Sequence, residues 1–430
     1  MMRTLAITGL VILLAAMSDL SRAQWVPTNE TTSESITSLA VSGSKLFAGT
    51  GSRFGGNGEG VFLSSDSGTS WTAVSAGLKY DFYTGDVICL TETETGIFAG
   101  TDSGVFRSTD NGTSWSAWSA GLPPDCYVTS IATIGTNVFA AAAGGGSTQE
   151  IFLSTDNGTS WTAIYSGLHG VSAWALAVST NIAGDSNIFA GTDKGIFLST
   201  NNGASWAEMN DGLTDSTTIL SLAVSITNTS PPMLFAGTLG SGVFSSSNNG
   251  TKWIAANSGL PANAAVNAFW VNGTNLFAGT LDSGVFLSTN NGTSWQDVST
   301  GLTDTTIMAL AVSGTNLYAG TGNSGVWRRP LSDFGISAVA QTLTTQSQIQ
   351  SYPNPLSSQA TITFTNENDG YAEVTIVNLL GSQVAQLFTG ELTAGEHSFS
   401  WDASGMAPGM YECVVNVGGQ TQRVSLVHLQ

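Results

Sequence analysis

Between residues 24 and 332 short apolar runs alternate with polar turns at a regular spacing. The first unit can be read in full: Ile36 to Val41, a Ser-Gly turn, Leu46-Phe47-Ala48-Gly49-Thr50, a loop, Val61-Phe62-Leu63, a polar turn, and Trp71-Thr72-Ala73-Val74. Four short β-rich runs punctuated by Gly, Ser and Asn predict one four-stranded sheet per unit. The second run returns as Ile97-Phe98-Ala99-Gly100, Ile188-Phe189-Ala190-Gly191, Leu276-Phe277-Ala278-Gly279 and Leu317-Tyr318-Ala319-Gly320. The third run occurs seven times, the last being Val326-Trp327, and no helix is evident.

The polar turn before the fourth run is nearly invariant. It starts as Ser64-Ser65-Asp66-Ser67-Gly68-Thr69-Ser70-Trp71 and recurs with its tryptophan at Trp115, Trp161, Trp206, Trp253 and Trp295, spaced 44, 46, 45, 47 and 42 residues apart. A fixed period in this range marks a repeat architecture. The acceptor residue is Asp66, Asp110 and Asp156 in three copies and Asn201, Asn248 and Asn290 in the next three. Asp and Asn share a carbonyl-type oxygen that can take backbone N–H groups two residues on, and the glycine supplies a positive φ. Only Asp could act as a charged ligand or acid, so the alternation assigns these residues a structural role. The tryptophan opens the next strand and offers a large apolar surface to the blade interior.

This turn resembles the Asp box of BNR repeats, found in sialidases, xyloglucanase-type glycoside hydrolases, sortilin-type receptors and photosystem II assembly-factor-like propellers. The resemblance implies four-stranded propeller blades with the box joining the third and fourth strands. It implies no activity, because the box is shared by unrelated functions. Seven third strands but six boxes leave one blade without its fourth strand. Trp25-Val26-Pro27-Thr28 fits the gap, since Trp25 lies 46 residues before Trp71. A seven-bladed β-propeller over residues 24–332, closed without a covalent bond between its last third strand and the N-terminal strand, is the expected fold; closure removes open sheet edges.

Residues 1–23 read as a signal peptide, with Arg3, an apolar Leu5–Met17 run too short to span a bilayer, and Ser21-Arg22-Ala23 at the cleavage site. No later stretch is long enough for a transmembrane segment. Losing Arg3, Asp19 and Arg22 takes the formal charge from −19 to −20. So acidic a chain disfavours nucleic acid as a partner. The three cysteines form no framework. Cys89 falls in a slot otherwise filled by Ser38, Ser130, Ala175, Ser221, Ala268 and Ala309; an oxidising compartment would permit a bond from Cys89 to Cys126, leaving Cys413 apart.

After Pro330 the composition turns polar, and residues 333–350 read as a linker. Residues 351–430 follow with about seven short strands, a small Ig-like β-sandwich. Tyr352-Pro353-Asn354-Pro355, Gly395-Glu396-His397 ahead of Trp401-Asp402, and Gly409-Met410-Tyr411 closely resemble the type A sorting domain of type IX secretion cargo. That resemblance implies a Bacteroidetes-type source, the type IX machinery as a partner, passage across the outer membrane, and removal of the domain during surface attachment or release.

Catalytic groups are sparse. A sialidase needs three converging arginines, yet the propeller holds only Arg53, Arg107, Arg328 and Arg329, of which the last two alternate in direction along a strand. His169 is its one histidine, so neither a Ser-His-Asp triad nor a histidine metal site has material; no metal or cofactor is expected. Carboxylates for a glycoside hydrolase of the xyloglucanase type remain, with Asp81, Asp86 and Glu59 as candidates. Enzymes of that type pair two propellers around a cleft, whereas this chain has one.

The repeats depart from one another mainly in two loops. Blade one carries Gly51 to Gly60 between its second and third strands, including Arg53 and Phe54, where most other blades have minimal turns such as Asp102-Ser103-Gly104; a further long loop, Ala143 to Glu150, is small and polar. The loop entering blade two is Lys79-Tyr80-Asp81-Phe82-Tyr83-Thr84-Gly85-Asp86. In this propeller class both loops open on the face opposite the boxes. Arg53, Phe54, Lys79, Tyr80, Asp81, Phe82 and Tyr83 are therefore the candidate patch for a glycan or protein ligand, aromatic rings offering flat faces and cations fixed donors. The alternative is a surface loop that packs its own aromatics. The whole is expected to act as an exported monomeric binding module.

Overall fold

The computed structural model describes residues 24–29, 35–51, 58–78, 85–93, 95–143, 150–164, 166–168, 170–180, 186–214, 217–225, 232–336, 350–352, 356, 358–366, 369–378, 382–407, 409–417 and 420–428. The segment 1–23 and most of the polar stretch before residue 350 lie outside them. By its contacts the chain divides into two units, with the boundary between Val339 and Ala340. Among the described residues the only helical segment is a 3-10 turn at Leu331–Phe334.

The first unit contains seven four-stranded antiparallel sheets. Blade one is Ile36–Ser42, Lys45–Thr50, Val61–Ser64 and Thr72–Ala73, in that order across the sheet. The first strands of the following blades are Val87–Thr93, Tyr127–Ile134, Ala173–Thr180, Ile219–Ser225, Val266–Asn272 and Ile307–Ser313. Each lies against the first strand of the next blade, and the seventh against the first, so these strands form the inner ring of a β-propeller. Blade seven takes its fourth strand from Val26–Pro27, with Val26 opposite Arg328 and Pro27 opposite Trp327. The ring closes as the position of Trp25 predicts.

Two packing devices recur. Every inner strand slips by one residue against its neighbour, skipping Thr37, Ile88, Thr129, Trp174, Leu220, Asn267 and Met308. Such bulges bend a strand and sharpen its twist. The residue after each bulge is small because it faces the second strand's Gly or Ala: Ser38 opposite Gly49, Cys89 opposite Gly100, Ser130 opposite Ala141. The next blade presses on the same spot, since a Cβ on Gly49 would lie 2.8 Å from Val87. Cys89 is thus a packing residue. No disulfide joins Cys89 to Cys126, and burial raises the Cys126 thiol to about 11 and the Cys413 thiol to about 12.

The second unit is a two-sheet sandwich. Gln350–Tyr352, Gln359–Asn366 and Gly395–Asp402 form one sheet; Gln383–Leu392, Gly370–Asn378, Gly409–Val417 and Gln420–His428 form the other. Alternate residues Ile362, Phe364, Val374, Ile376, Trp401 and Val415 meet between them, with Trp401 edge-on to Tyr411 at 5.2 Å.

Candidate functional site

The two ends of the propeller are built differently, and the turn end is the more uniform. In blade one Ser64 Oγ donates to Asp66 Oδ1 (2.9 Å) and accepts the Gly68 N–H (2.8 Å). Asp66 Oδ1 also accepts the Ser70 N–H (2.8 Å), and Oδ2 accepts the Ser70 hydroxyl (2.6 Å). The acceptor therefore closes four residues, not the two expected from a simple Asx turn, because the preceding serine takes the nearer N–H. Asp110 and Asp156 repeat the same bonds. These hydrogen bonds, the serine hydroxyl foremost, hold Asp66, Asp110 and Asp156 at about 2, well below an ordinary carboxylate. In Asn201 and Asn290 the amide Nδ2 instead donates to Ser205 and Ser294, both at 2.9 Å. The residue before each glycine also has positive φ (Ser67, Asn111, Asn157, Asn202, Asn249, Asn291). That pattern was visible as five asparagines, the residue that best tolerates this region.

The tryptophan rings pack in the blade interior, as Trp115 does beside Phe106, but their N–H groups go further. Each reaches the preceding blade. Trp115 donates its backbone N–H to Ala76 and its indole N–H to Val74, at 2.8 and 2.7 Å. Trp161, Trp206, Trp253 and Trp295 do likewise to Trp118, Ile164, Met209 and Ala256. Trp25 continues the relay to Val298 (2.8 Å), and Trp71 completes it on the Thr28 hydroxyl (3.2 Å). Seven tryptophans thus staple seven joints. Opposite six of them, all but Trp71, lies a glycine with no room for a side chain: at Gly259, with φ +92°, a Cβ would overlap the Trp295 carbonyl oxygen.

At the loop end two bonds recur. The hydroxyls of Thr50, Thr101, Thr192, Thr238, Thr280 and Thr321 donate to the carbonyl of the glycine that precedes or opens the third strand, at 2.9 to 3.0 Å. The second bond runs through the backbone. The first residue of the loop between second and third strands donates its N–H to the carbonyl just before the inner strand of its own blade. Gly51 meets Ser35, Asp102 meets Asp86, Asp193 meets Ser172, Leu239 meets Thr218, Leu281 meets Ala265 and Gly322 meets Thr306. Acids here close turns: Asp193 accepts from Ser172 N–H (2.8 Å), and Asp304 from Thr306 and Asn323 N–H (2.9 and 2.7 Å).

The candidate patch residues Arg53, Phe54, Lys79, Tyr80, Asp81, Phe82 and Tyr83 lie outside the described residues, as does His169. Their flanks are described, and they meet. A Cβ on Gly51 would come 2.9 Å from the Asp86 side chain, and one on Gly58 would come 2.8 Å from Asp86 Oδ1 and 2.6 Å from the Gly85 carbonyl. Asp86 is 2% exposed, whereas Glu59 is exposed. The stems of the long blade-one loop and of the loop entering blade two are therefore neighbours. The described arginines go elsewhere. Arg107 stacks 4.4 Å over Trp118 and donates to Thr95; Arg328 donates to the Ser67 carbonyl; Arg329 donates to Val298 and pairs with Asp333 at 3.4 Å. Among the described residues no group of three His, Cys, Asp or Glu is arranged to hold a metal, and no helix is long and apolar enough to cross a membrane.

Comparison with known proteins adds the address. No curated protein matches the sequence. Among solved structures, the extracellular domain of the hybrid two component system BT4673 from B. thetaiotaomicron is similar at 16% identity and TM-score 0.58, over 81% of this chain and 45% of that one. The chain thus spans less than half the length of that relative. YCF48 bound to D1 peptide is similar at 13% identity and TM-score 0.52, over 71% of this chain and 94% of that one. An ancestral GH74 enzyme is similar at 14% identity and TM-score 0.52, over 94% of this chain and 63% of that one. At such identities the likeness concerns fold, and the fold is the β-propeller. Residues 350–428 match the secretion system C-terminal sorting domain family. The chain is a seven-bladed β-propeller joined to a type IX sorting domain that engages the secretion machinery and places the protein outside the cell, secreted or at the outer-membrane surface.

Proposed function

We propose that the propeller is a non-catalytic binding module, taking a glycan or a protein segment on the loop end at blades one and two. The observation that carries this reading is the meeting of the two long-loop stems at Asp86, where other described blade pairs bring together short turns, as Gly242 with Ala264 and Gly284 with Thr305. On this reading residues 1–23 are an export leader, 24–332 the binding unit built of BNR-type Asp-box repeats, 333–350 a linker, and 351–430 the sorting domain. The arginine placement and the burial of Asp86 favour binding over hydrolysis: a carboxylate at 2% exposure is poorly placed to meet a sugar, and the rim acids Asp193 and Asp304 are committed to backbone N–H groups.

The test puts the exported chain on a panel of neutral polysaccharides, recording retention by affinity electrophoresis and released reducing ends in the same samples. Retention without release, lost in Tyr80→Ala with Tyr83→Ala, is expected. Release of sugar would overturn the reading and favour a xyloglucanase-type hydrolase. No retention at all removes the glycan and leaves a protein ligand.

A further inference from the structure

Six blades join their third and fourth strands through the eight-residue turn, but blade seven has no such turn, because its fourth strand comes from the other end of the propeller. We propose that a polar lock unique to this seam replaces the missing turn, and that the ring opens first where this lock gives way.

The lock is made of residues that break the repeat. Six blades carry a phenylalanine on the second strand (Phe47, Phe98, Phe139, Phe189, Phe235, Phe277), and in four of them its ring faces the turn glycine of the following blade. Blade seven has Tyr318 there, fully buried, and its hydroxyl donates to the Ser67 carbonyl of blade one at 3.0 Å. Arg328 stands where blades one, three, four and six carry Leu63, Leu153, Leu198 and Leu287, and its Nη1 donates to the same carbonyl at 2.7 Å. Both bonds tie the second and third strands of blade seven directly to blade one, bypassing the two-residue fourth strand.

Thr28 forms the second half. Its N–H and hydroxyl both donate to the Val326 carbonyl, each at 2.9 Å, while the hydroxyl accepts the Trp71 indole N–H. At the other six joints the same indole goes to a backbone carbonyl. Asn29 adds a bond from Nδ2 to the Thr69 carbonyl at 2.6 Å. The seam therefore adds side-chain donors from Tyr318, Arg328 and Asn29 to the indole bond that every joint carries. A ladder of two residue pairs is a weak closure alone, and local opening follows the least-supported element.

Hydrogen exchange of the full chain, followed by mass spectrometry, tests this. Tyr318→Phe and Arg328→Leu restore residues the other blades carry, so both variants keep the packing. Each is expected to speed exchange of residues 25–28 and 326–329 by about tenfold, leaving residues 127–255 unchanged. Phe235→Tyr, the same hydroxyl offered at an interior joint, is expected to leave the seam as it was. Acceleration spread evenly over all blades, or none at the seam, would overturn the proposal.

Discussion

The turn end and the loop end of the propeller both repeat from blade to blade but use different atoms. At the turn end side chains make the bonds: Ser199 Oγ to Asn201 and Gly203, Asn201 Oδ1 to Ser205. At the loop end a side-chain bond recurs as well, as from Thr192 Oγ1 to the Gly195 carbonyl, but the bond beside it joins two backbone groups, as from Asp193 N–H to the Ser172 carbonyl. A bond made by side chains fixes residue identity in every copy, whereas a backbone bond is indifferent to it. The turn therefore reads as one motif six times, while the rim holds Gly, Asp and Leu at one position and Ser, Asp, Thr and Ala at its partner. That indifference leaves the loop end free to carry a ligand site.

The sharpest way to break this comparison is at the glycines. Gly259 and Gly273 both have positive φ, at +92° and +58°, but a Cβ meets the Trp295 carbonyl in the first and open space in the second. If joints between blades are fixed by close backbone approach, Gly259→Ala should cost about 3 kcal/mol or more and Gly273→Ala about 1 kcal/mol, read from urea midpoints. Equal losses would mean that only backbone conformation matters, and that the staple geometry at the tryptophans does not.

A smaller effect separates the two ends directly. Ser199→Ala removes a hydroxyl that both donates and accepts at full burial, and should cost about 1–2 kcal/mol. Ser172→Ala leaves the backbone bonds of the rim intact and should stay within about 0.5 kcal/mol. The same urea titrations decide; a rim serine as costly as a turn serine would erase the distinction.

This division also explains what could be read without coordinates. The blade count, the borrowed strand at Trp25 and the small slot at Cys89 follow from spacing and residue size, which local rules govern. The destination of the tryptophans did not follow. Their indoles meet a carbonyl 39 to 44 residues earlier in the chain in the five interior turn copies, and a backbone acceptor leaves no residue signature. The two-residue span expected of the turn was wrong because Ser64 competes for the Gly68 N–H, a second acceptor hidden within the same motif. Tyr318 and Arg328 stood out from their repeats, yet only the ring geometry brings both to Ser67.

The smallest effect concerns charge within the turn end. Asp66, Asp110 and Asp156 are fully exposed yet sit at about 2 instead of 3.8, because serine hydroxyls and backbone N–H groups favour the ionised form. A carboxylate lowered on folding contributes stability that is complete above pH 4 and is lost as pH falls from about 4 through 2. Asn201 and Asn290 make the matching bonds with no proton to gain. The triple variant Asp66→Asn, Asp110→Asn, Asp156→Asn should thus unfold much like the parent at pH 7, and lose less of its urea midpoint between pH 4 and pH 2.5. Parallel declines in the two proteins would show that these acids bond equally well when protonated, and that hydroxyl geometry rather than charge holds the turn.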